Sequence, residues 1–264
     1  MSFARPRSAG SALNALSLKE IDQAMKDGLL TPEDAIAILS VRKEAGAIRL
    51  IKRAQRELGI RAEYIEKSMF SGQARAEGYR YIAGLDEVGR GPLAGPVTVA
   101  CVILDEDKPI YGLRDSKRLS EKRREELALA IEEKAIAFSV VSFTERQIDE
   151  LNILEATRQA MLVAVELMET APDYLLVDAM DLKTDLPQRS LIGGDDKSNE
   201  IAAASILAKV TRDRYMRSMH ERYPEYGFDT NKGYGTAAHL QALRDYGPSP
   251  IHRRTFVSRF IQER

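Results

Sequence analysis

Residues 79–104 read Tyr79-Arg-Tyr-Ile-Ala-Gly-Leu-Asp-Glu-Val-Gly-Arg-Gly-Pro-Leu-Ala-Gly-Pro-Val-Thr-Val-Ala-Cys-Val-Ile-Leu104. The opening residues, Tyr79 to Asp86, alternate and predict a strand. Pro96 to Leu104 is almost wholly apolar and predicts a second, buried strand. A Gly/Pro-rich turn joins them. Asp86 and Glu87 sit where the first strand meets this turn. Adjacent carboxylates at an apolar strand end repel each other, and are costly there unless a cation or proton neutralises them. Successive strand residues face opposite ways, so both acids reach one point only if the strand ends or bends at the pair. The glycines permit that. Taken alone, the dipeptide is equally an acidic surface turn.

Working towards the C-terminus, Ser120-Glu-Lys-Arg opens a helix to about Lys134, and Ala137–Phe143 reads as a third strand. Helices are expected at about 145–151 and 153–170, and a strand at Asp173–Asp178. A further strand is expected near 189–193, then a long helix from Ser198 to about Arg222. The tail holds Gly/Pro loops and two shorter helices. Three early strands followed by alternating helix and strand predict an α/β sheet with helices on its faces. Asp178 then matters, because it ends a second strand, and ligand sites in open α/β sheets gather at such ends. Asp195 and Asp196 follow the Gly193-Gly194 turn just before a helix. Acids from three or four separated segments suit hard cations such as Mg²⁺ or Mn²⁺. Two such ions about 4 Å apart serve phosphodiester cleavage. Zinc fits poorly, since there is one Cys and no His near these acids.

Working towards the N-terminus, residues 17–70 read as a helical region without strands. Ser17-Leu-Lys-Glu20 has the form of a capping box, and Gly28 would end its helix. Thr31-Pro32-Glu33-Asp34 starts another, whose periodicity continues towards Gly59. Residues 1–16 lack periodicity and read as disordered. Net charge is −1 over 264 residues, yet residues 41–80 and 205–264 each carry an excess of five basic residues. Basic flanks around an acidic centre suit a phosphate backbone with metal placed on it; solvated helix faces explain the charge equally well. No apolar run reaches the ~18 residues of a membrane span, and the lone Cys101 cannot form an internal disulfide. The expectation is a cytoplasmic protein, monomeric by default.

Gly84-Leu-Asp-Glu-Val-Gly-Arg-Gly-Pro-Leu-Ala-Gly-Pro96 resembles the signature of the ribonuclease HII family. So do Asp115-Ser-Lys-Arg-Leu-Ser120, Leu176-Val-Asp178, Ile201-Ala-Ala-Ala-Ser-Ile-Leu-Ala-Lys-Val-Thr-Arg-Asp213, Lys232-Gly-Tyr-Gly-Thr236 and His252-Arg-Arg-Thr-Phe256, in family order over about residues 79–260. The resemblance implies a ribonuclease H-like mixed five-stranded sheet flanked by helices. The catalytic domain would span 71–264, with 225–264 its C-terminal helical part and 17–70 an N-terminal helical extension. It implies that Asp86, Glu87, Asp178 and Asp195 bind metal and catalyse. Counting back from Ile201 selects Asp195, with Asp196 the alternative, because the family's usual Lys-Gly-Asp is here Gly193-Gly194-Asp195-Asp196.

The resemblance also implies substrate contacts. Gly89, Arg90 and Gly91 match a loop that recognises the ribonucleotide. Glycines let backbone approach the sugar, and the 2′-hydroxyl is what separates RNA from DNA. Tyr234 matches a tyrosine that packs on the sugar at the scissile junction. Ser116, Lys117 and Lys209 match phosphate contacts, although Lys117 alone is as easily a helix-flanking charge. Ser205, mid-helix among alanines, needs no reading beyond packing. His252 stands as a possible phosphate contact, and His220 and His239 as structural or surface residues. The substrates implied are RNA–DNA hybrids and duplex DNA carrying single ribonucleotides, cut on the 5′ side. The 17–70 extension lies outside the motifs. Three roles stand open for it: added hybrid affinity, docking of a replication or transcription protein, or a packed appendage.

Overall fold

The structure is a computed structural model, and it describes residues 16–260. The expected disorder of residues 1–16 falls almost wholly on residues 1–15, outside the described residues. The chain divides into two compact units between Ile65 and Glu66.

In the first unit, helix α1 (Leu18–Lys26) is opened by Ser17 and Glu20, which cap each other as the sequence predicts. Helix α2 (Pro32–Leu39) has Thr31 as its cap and Pro32 at its first turn. Ile21, Ala35, Ile38, Leu39 and Ala47 form a small core of their own. Helix α3 (Ala45–Lys67) does not stop towards Gly59 but runs eight residues further. Gly59 is exposed, and a mid-helix glycine costs only about 1 kcal/mol relative to alanine, too little to end a long helix.

The second unit opens with helix α4 (Met69–Ala76) and holds a five-stranded sheet in the order β3-β2-β1-β4-β5. Strands β1 (Ile82–Val88), β2 (Val97–Ile103) and β3 (Ala137–Phe143) form an antiparallel meander. Strands β4 (Tyr174–Asp178) and β5 (Gln188–Leu191) run parallel to β1. Alternation along β2 divides the core. Val99, Cys101 and Ile103 face a layer containing helix α7 (Ile153–Glu166), which follows the short helix α6 (Glu145–Leu151). Ala100 and Val102 face helices α5 (Glu121–Lys134) and α8 (Asn199–Arg222). Helices α9 (Phe228–Asn231), α10 (Ala237–Tyr246) and α11 (Arg254–Val257) follow in the tail. They help enclose a separate core around Met216, Tyr226, Phe228, Leu243 and Val257.

Strand β1 begins three residues later than the alternation suggests. Arg80 and Tyr81 donate their amides to the Asp173 carboxylate, both at 2.8 Å, instead of joining the ladder. Helix α7 ends at Glu166, short of the expected 170. One contact fixes how α8 crosses the sheet. A Cβ on Gly84 would lie 2.1 Å from the carbonyl carbon of Glu200, so only glycine lets the first turn of α8 rest on β1. No described helix is long and apolar enough to cross a membrane.

Candidate active site

Asp86 and Glu87 lie in the last three residues of β1, and Asp178 ends the neighbouring parallel strand β4. Oxygens from all three lie within 4.8 Å of one another. The strand does not stop at the acidic pair; it runs on to Val88. The pair converges all the same, and Asp86 Oδ1 folds back to accept the Glu87 amide at 2.7 Å. Asp86 is buried, and burial together with the Glu87 charge pushes its pKa well above the usual range. The Ser205 hydroxyl opposes this by donating a hydrogen bond to it. Burial likewise raises Glu87 to about 7, against the pull of Arg90, whose Nη1 stands 3.6 Å from Glu87 Oε1.

Asp178 is aimed by backbone. Its Oδ1 accepts the Gly194 amide at 2.7 Å, and a Cβ on Gly194 would approach that oxygen to 3.3 Å. Gly194 opens the short 3₁₀ turn Gly194–Asp196, which carries the next two acids. They part company. Asp196 is exposed and pairs with Arg118 at 3.2 Å. Asp195 is half-buried, and burial with the charges of Asp115 and Asp178 raises its pKa. Its carbonyl is held by Lys67 Nζ at 3.1 Å, and the same ammonium reaches the Leu113 carbonyl at 3.1 Å. Asp195 thus feels the Asp178 charge, while Asp196 is spent on an arginine. Three crowded carboxylates, two of them (Asp86 and Glu87) with raised pKa values, and one partly exposed guanidinium nearby make a donor set that fits divalent cations.

The loop after β1 is locked from behind. Gly89 has φ +97, and a Cβ there would lie 2.4 Å from Arg212 Nε. Arg212 and Arg253 are fully buried, and they face backbone carbonyls. Arg212 donates to Pro96, Lys232 and Ala94 at 2.9–3.0 Å. Arg253 donates to Gly89, Arg90 and Gly95 at 2.5–3.0 Å. Burial pulls the pKa of Arg212 down to about 10 and that of Arg253 to about 9. Across this loop lies Tyr234, an exposed residue whose Cε1 is 3.6 Å from where a Gly91 Cβ would stand. Two sequence segments 143 residues apart therefore form one surface.

A ribonuclease HII family model matches residues 83–259. The chain belongs to the ribonuclease HII family. It is 54% identical to a ribonuclease HII of Bacillus licheniformis over 78% of this chain and 81% of the relative. It is 47% identical to that of Halalkalibacterium halodurans over 94% of this chain and 95% of the relative. At that coverage the likeness takes in most of residues 17–70, which the motifs alone left outside. The ribonuclease H2 of Pyrococcus horikoshii shares the fold at TM-score 0.58 and 29% identity, over 69% of this chain and 99% of that one. As a ribonuclease HII, this protein is a ribonuclease H enzyme, an endonuclease on RNA–DNA hybrids.

The remaining residues singled out in the sequence fall as follows. Lys117 is exposed, and its charge lowers the pKa of Asp195. Lys209 is paired with Asp213 at 2.7 Å. Ser116 is buried, with its hydroxyl 3.1 Å from that of Ser205, so Ser116, Ser205 and Asp86 form a connected line. His252 is no phosphate contact: it is 1% exposed and bonded within the tail core. Sequence reasoning took Ser205 for a packing residue and gave no role to Gly194, Lys67, Arg212 and Arg253. The one signal for Ser205 was a hydroxyl set among alanines in a helix that starts beside an acid pair.

Proposed function

We propose that this ribonuclease HII nicks duplex DNA at single embedded ribonucleotides as well as cutting longer hybrids. The cut falls on the 5′ side of the ribonucleotide and leaves a 5′-phosphate and a 3′-hydroxyl. The observation that carries this reading is the placement of Tyr234 against Gly91, one loop away from the converged carboxylates. A sugar seated between that ring and the Gly89-Arg90-Gly91 backbone would be tested for its 2′-hydroxyl by a loop whose carbonyls Arg253 holds. Its 5′ phosphate would then face Asp86, Glu87 and Asp178.

Those three acids, with Asp195, would hold two divalent ions, Mg²⁺ or Mn²⁺, which when bound supply a more acidic water and neutralise charge on the leaving oxygen. The chain itself does the rest. Ser205 and the Gly194 amide orient the Asp86 and Asp178 carboxylates. Lys117 would meet the backbone phosphates at the surface, Lys209 would do so on leaving its partner Asp213, and the buried Ser116 would act through Ser205. Hydrolysis adds the water oxygen to phosphorus and breaks the bond to the 3′ oxygen, which leaves with a proton. Residues 71–264 would carry this chemistry. Residues 17–70 would add affinity for the duplex through the exposed Arg49, Lys52 and Arg56 of α3.

The test is a DNA duplex with one embedded ribonucleotide, incubated with Mg²⁺, Mn²⁺ or a chelator. A metal-dependent nick on the 5′ side is the expected result. Cleavage of long hybrids alone would remove the single-ribonucleotide reading. Asp178→Asn should lower cleavage roughly 10³-fold or more while leaving the fold intact; retained activity would take Asp178 out of the site.

A further inference from the structure

Tyr234 hangs from its neighbours by its own carbonyl. That oxygen accepts from Nδ1 of His239 at 2.9 Å. His239 sits in the first turn of α10, with its amide on the Thr236 hydroxyl at 3.3 Å. Its Nε2 lies 2.9 Å from Nε2 of His252. His252 Nδ1 in turn faces the Ser249 amide at 2.9 Å and the Ser249 hydroxyl at 2.7 Å. The two rings are 0% and 1% exposed. They pack against Tyr226 and Phe228, edge-on or tilted.

The protons in this line have one consistent arrangement. A backbone amide can only donate, so His252 Nδ1 is bare and its proton is on Nε2. That proton points at His239 Nε2, which must accept. The His239 proton is therefore on Nδ1, aimed at a carbonyl that can only accept. Every ring nitrogen is used and both rings are neutral. Burial holds both pKa values down, that of His252 to about 3. The same segment grips the other loop. His252 bridges to Ala94, Gly95 donates to Ile251 at 2.8 Å, and Arg253 donates its amide to Leu93 at 2.9 Å. Leu93 closes the circuit by donating to Gly233 at 2.8 Å.

We propose that His239 is a positioning residue for Tyr234. The single-tautomer pair His239–His252 sets the height of the Tyr234 backbone over the Gly89-Arg90-Gly91 loop, and with it the gap that admits a ribonucleotide. This rests on the reading of Tyr234 as the residue that faces the sugar. A buried histidine pair is also an ordinary way to fill a core, so the test separates the two roles.

His239→Asn keeps an amide nitrogen close to the place of Nδ1, and so keeps the donor to Tyr234. His239→Gln places its amide near Nε2 and loses that donor. Both leave a similar gap in the core. The readout is the rate on a duplex with one ribonucleotide divided by the rate on a continuous hybrid, with kcat and KM resolved for each. The Asn variant should hold this ratio within about threefold of the unaltered enzyme, and the Gln variant should lower it about tenfold or more, chiefly in kcat. Tyr234→Ala is measured beside them. If it leaves the ratio unchanged, the sugar-facing reading fails and the inference falls with it. If it lowers the ratio while the Asn and Gln variants behave alike, His239 is core filling and the positioning role alone is overturned. Should the Gln variant not fold, nitrogen-15 NMR of the unaltered enzyme decides: His239 protonated on Nδ1 and His252 on Nε2 is expected, and His239 protonated on Nε2 overturns the proposal.

Discussion

The two halves of the site are built on opposite electrostatic terms. At the sheet end, Asp86, Glu87 and Asp178 converge within 4.8 Å, and burial resists charging the first two. Two strands of the sheet impose that crowding. On the side of the Gly89-Arg90-Gly91 loop and Tyr234, two guanidiniums are buried, and they face carbonyls at hydrogen-bond distance. The carboxylate cluster stores repulsion that a bound cation would relieve; on the loop side the mutual repulsion of Arg212 and Arg253 is met by the carbonyls they hold. On the proposed reading, affinity for metal and discrimination of sugar come from separate devices, and should fail separately when altered.

Arg253→Met should break the held side most severely. It strands three carbonyls, and unfolding by denaturant should register a loss of about 3–5 kcal/mol. A loss under about 1 kcal/mol would mean that the loop keeps its path unaided. Glu87→Gln should do the reverse at the other side. At pH 8 it should stabilise the metal-free protein by about 2 kcal/mol, because it removes a charge whose carboxyl is raised to about 7, while abolishing metal-dependent cleavage.

The same carboxyl gives a pH dependence with a definite sign. Its ordinary value is 4.5 and its folded value about 7. Between those limits the folded protein holds a proton that the unfolded chain has released. Stability of the metal-free protein should therefore fall as pH rises through this window, and the stabilisation by Mg²⁺ should grow over the same range. Thermal unfolding at pH 5, 6, 7 and 8, with and without Mg²⁺, measures both; a flat metal-free profile would contradict the crowding. The smallest effect expected is from Ser205→Ala, which removes the hydroxyl on Asp86 and should weaken metal affinity 10–100-fold by titration calorimetry. An unchanged affinity would make the serine a packing residue after all.

The acid side was largely legible in the sequence. Strand alternation and an apolar run ending on Asp178 point at the same sheet end, because local pattern and chemistry coincide there. The preference for Asp195 over Asp196 came from the family resemblance; in the structure Asp196 pairs with Arg118, while Asp195 feels the charge of Asp178. The holding side was not legible. Arg212 and Arg253 look like surface charge in a basic tail, and nothing local says that they are buried against carbonyls. His252 was misread for the same reason: its neighbours Arg253 and Arg254 suggest phosphate, while its actual partners are Ser249 and His239. Gly59 misled in the other direction, since a residue with a weak preference yields to the 23-residue helix around it.

Arg253 lies 164 residues beyond the Gly89 carbonyl that it holds. During synthesis the strands that carry Asp86, Glu87 and Asp178 leave the ribosome long before that arginine does. A nascent chain can thus gather its carboxylates while the loop that would recognise a ribonucleotide still lacks its clamp. The order of translation makes the held path of this loop one of the last features of the site to form and, on the proposed reading, selectivity with it. Ribosome-bound chains ending before Arg253 should be poor at telling one ribonucleotide from none.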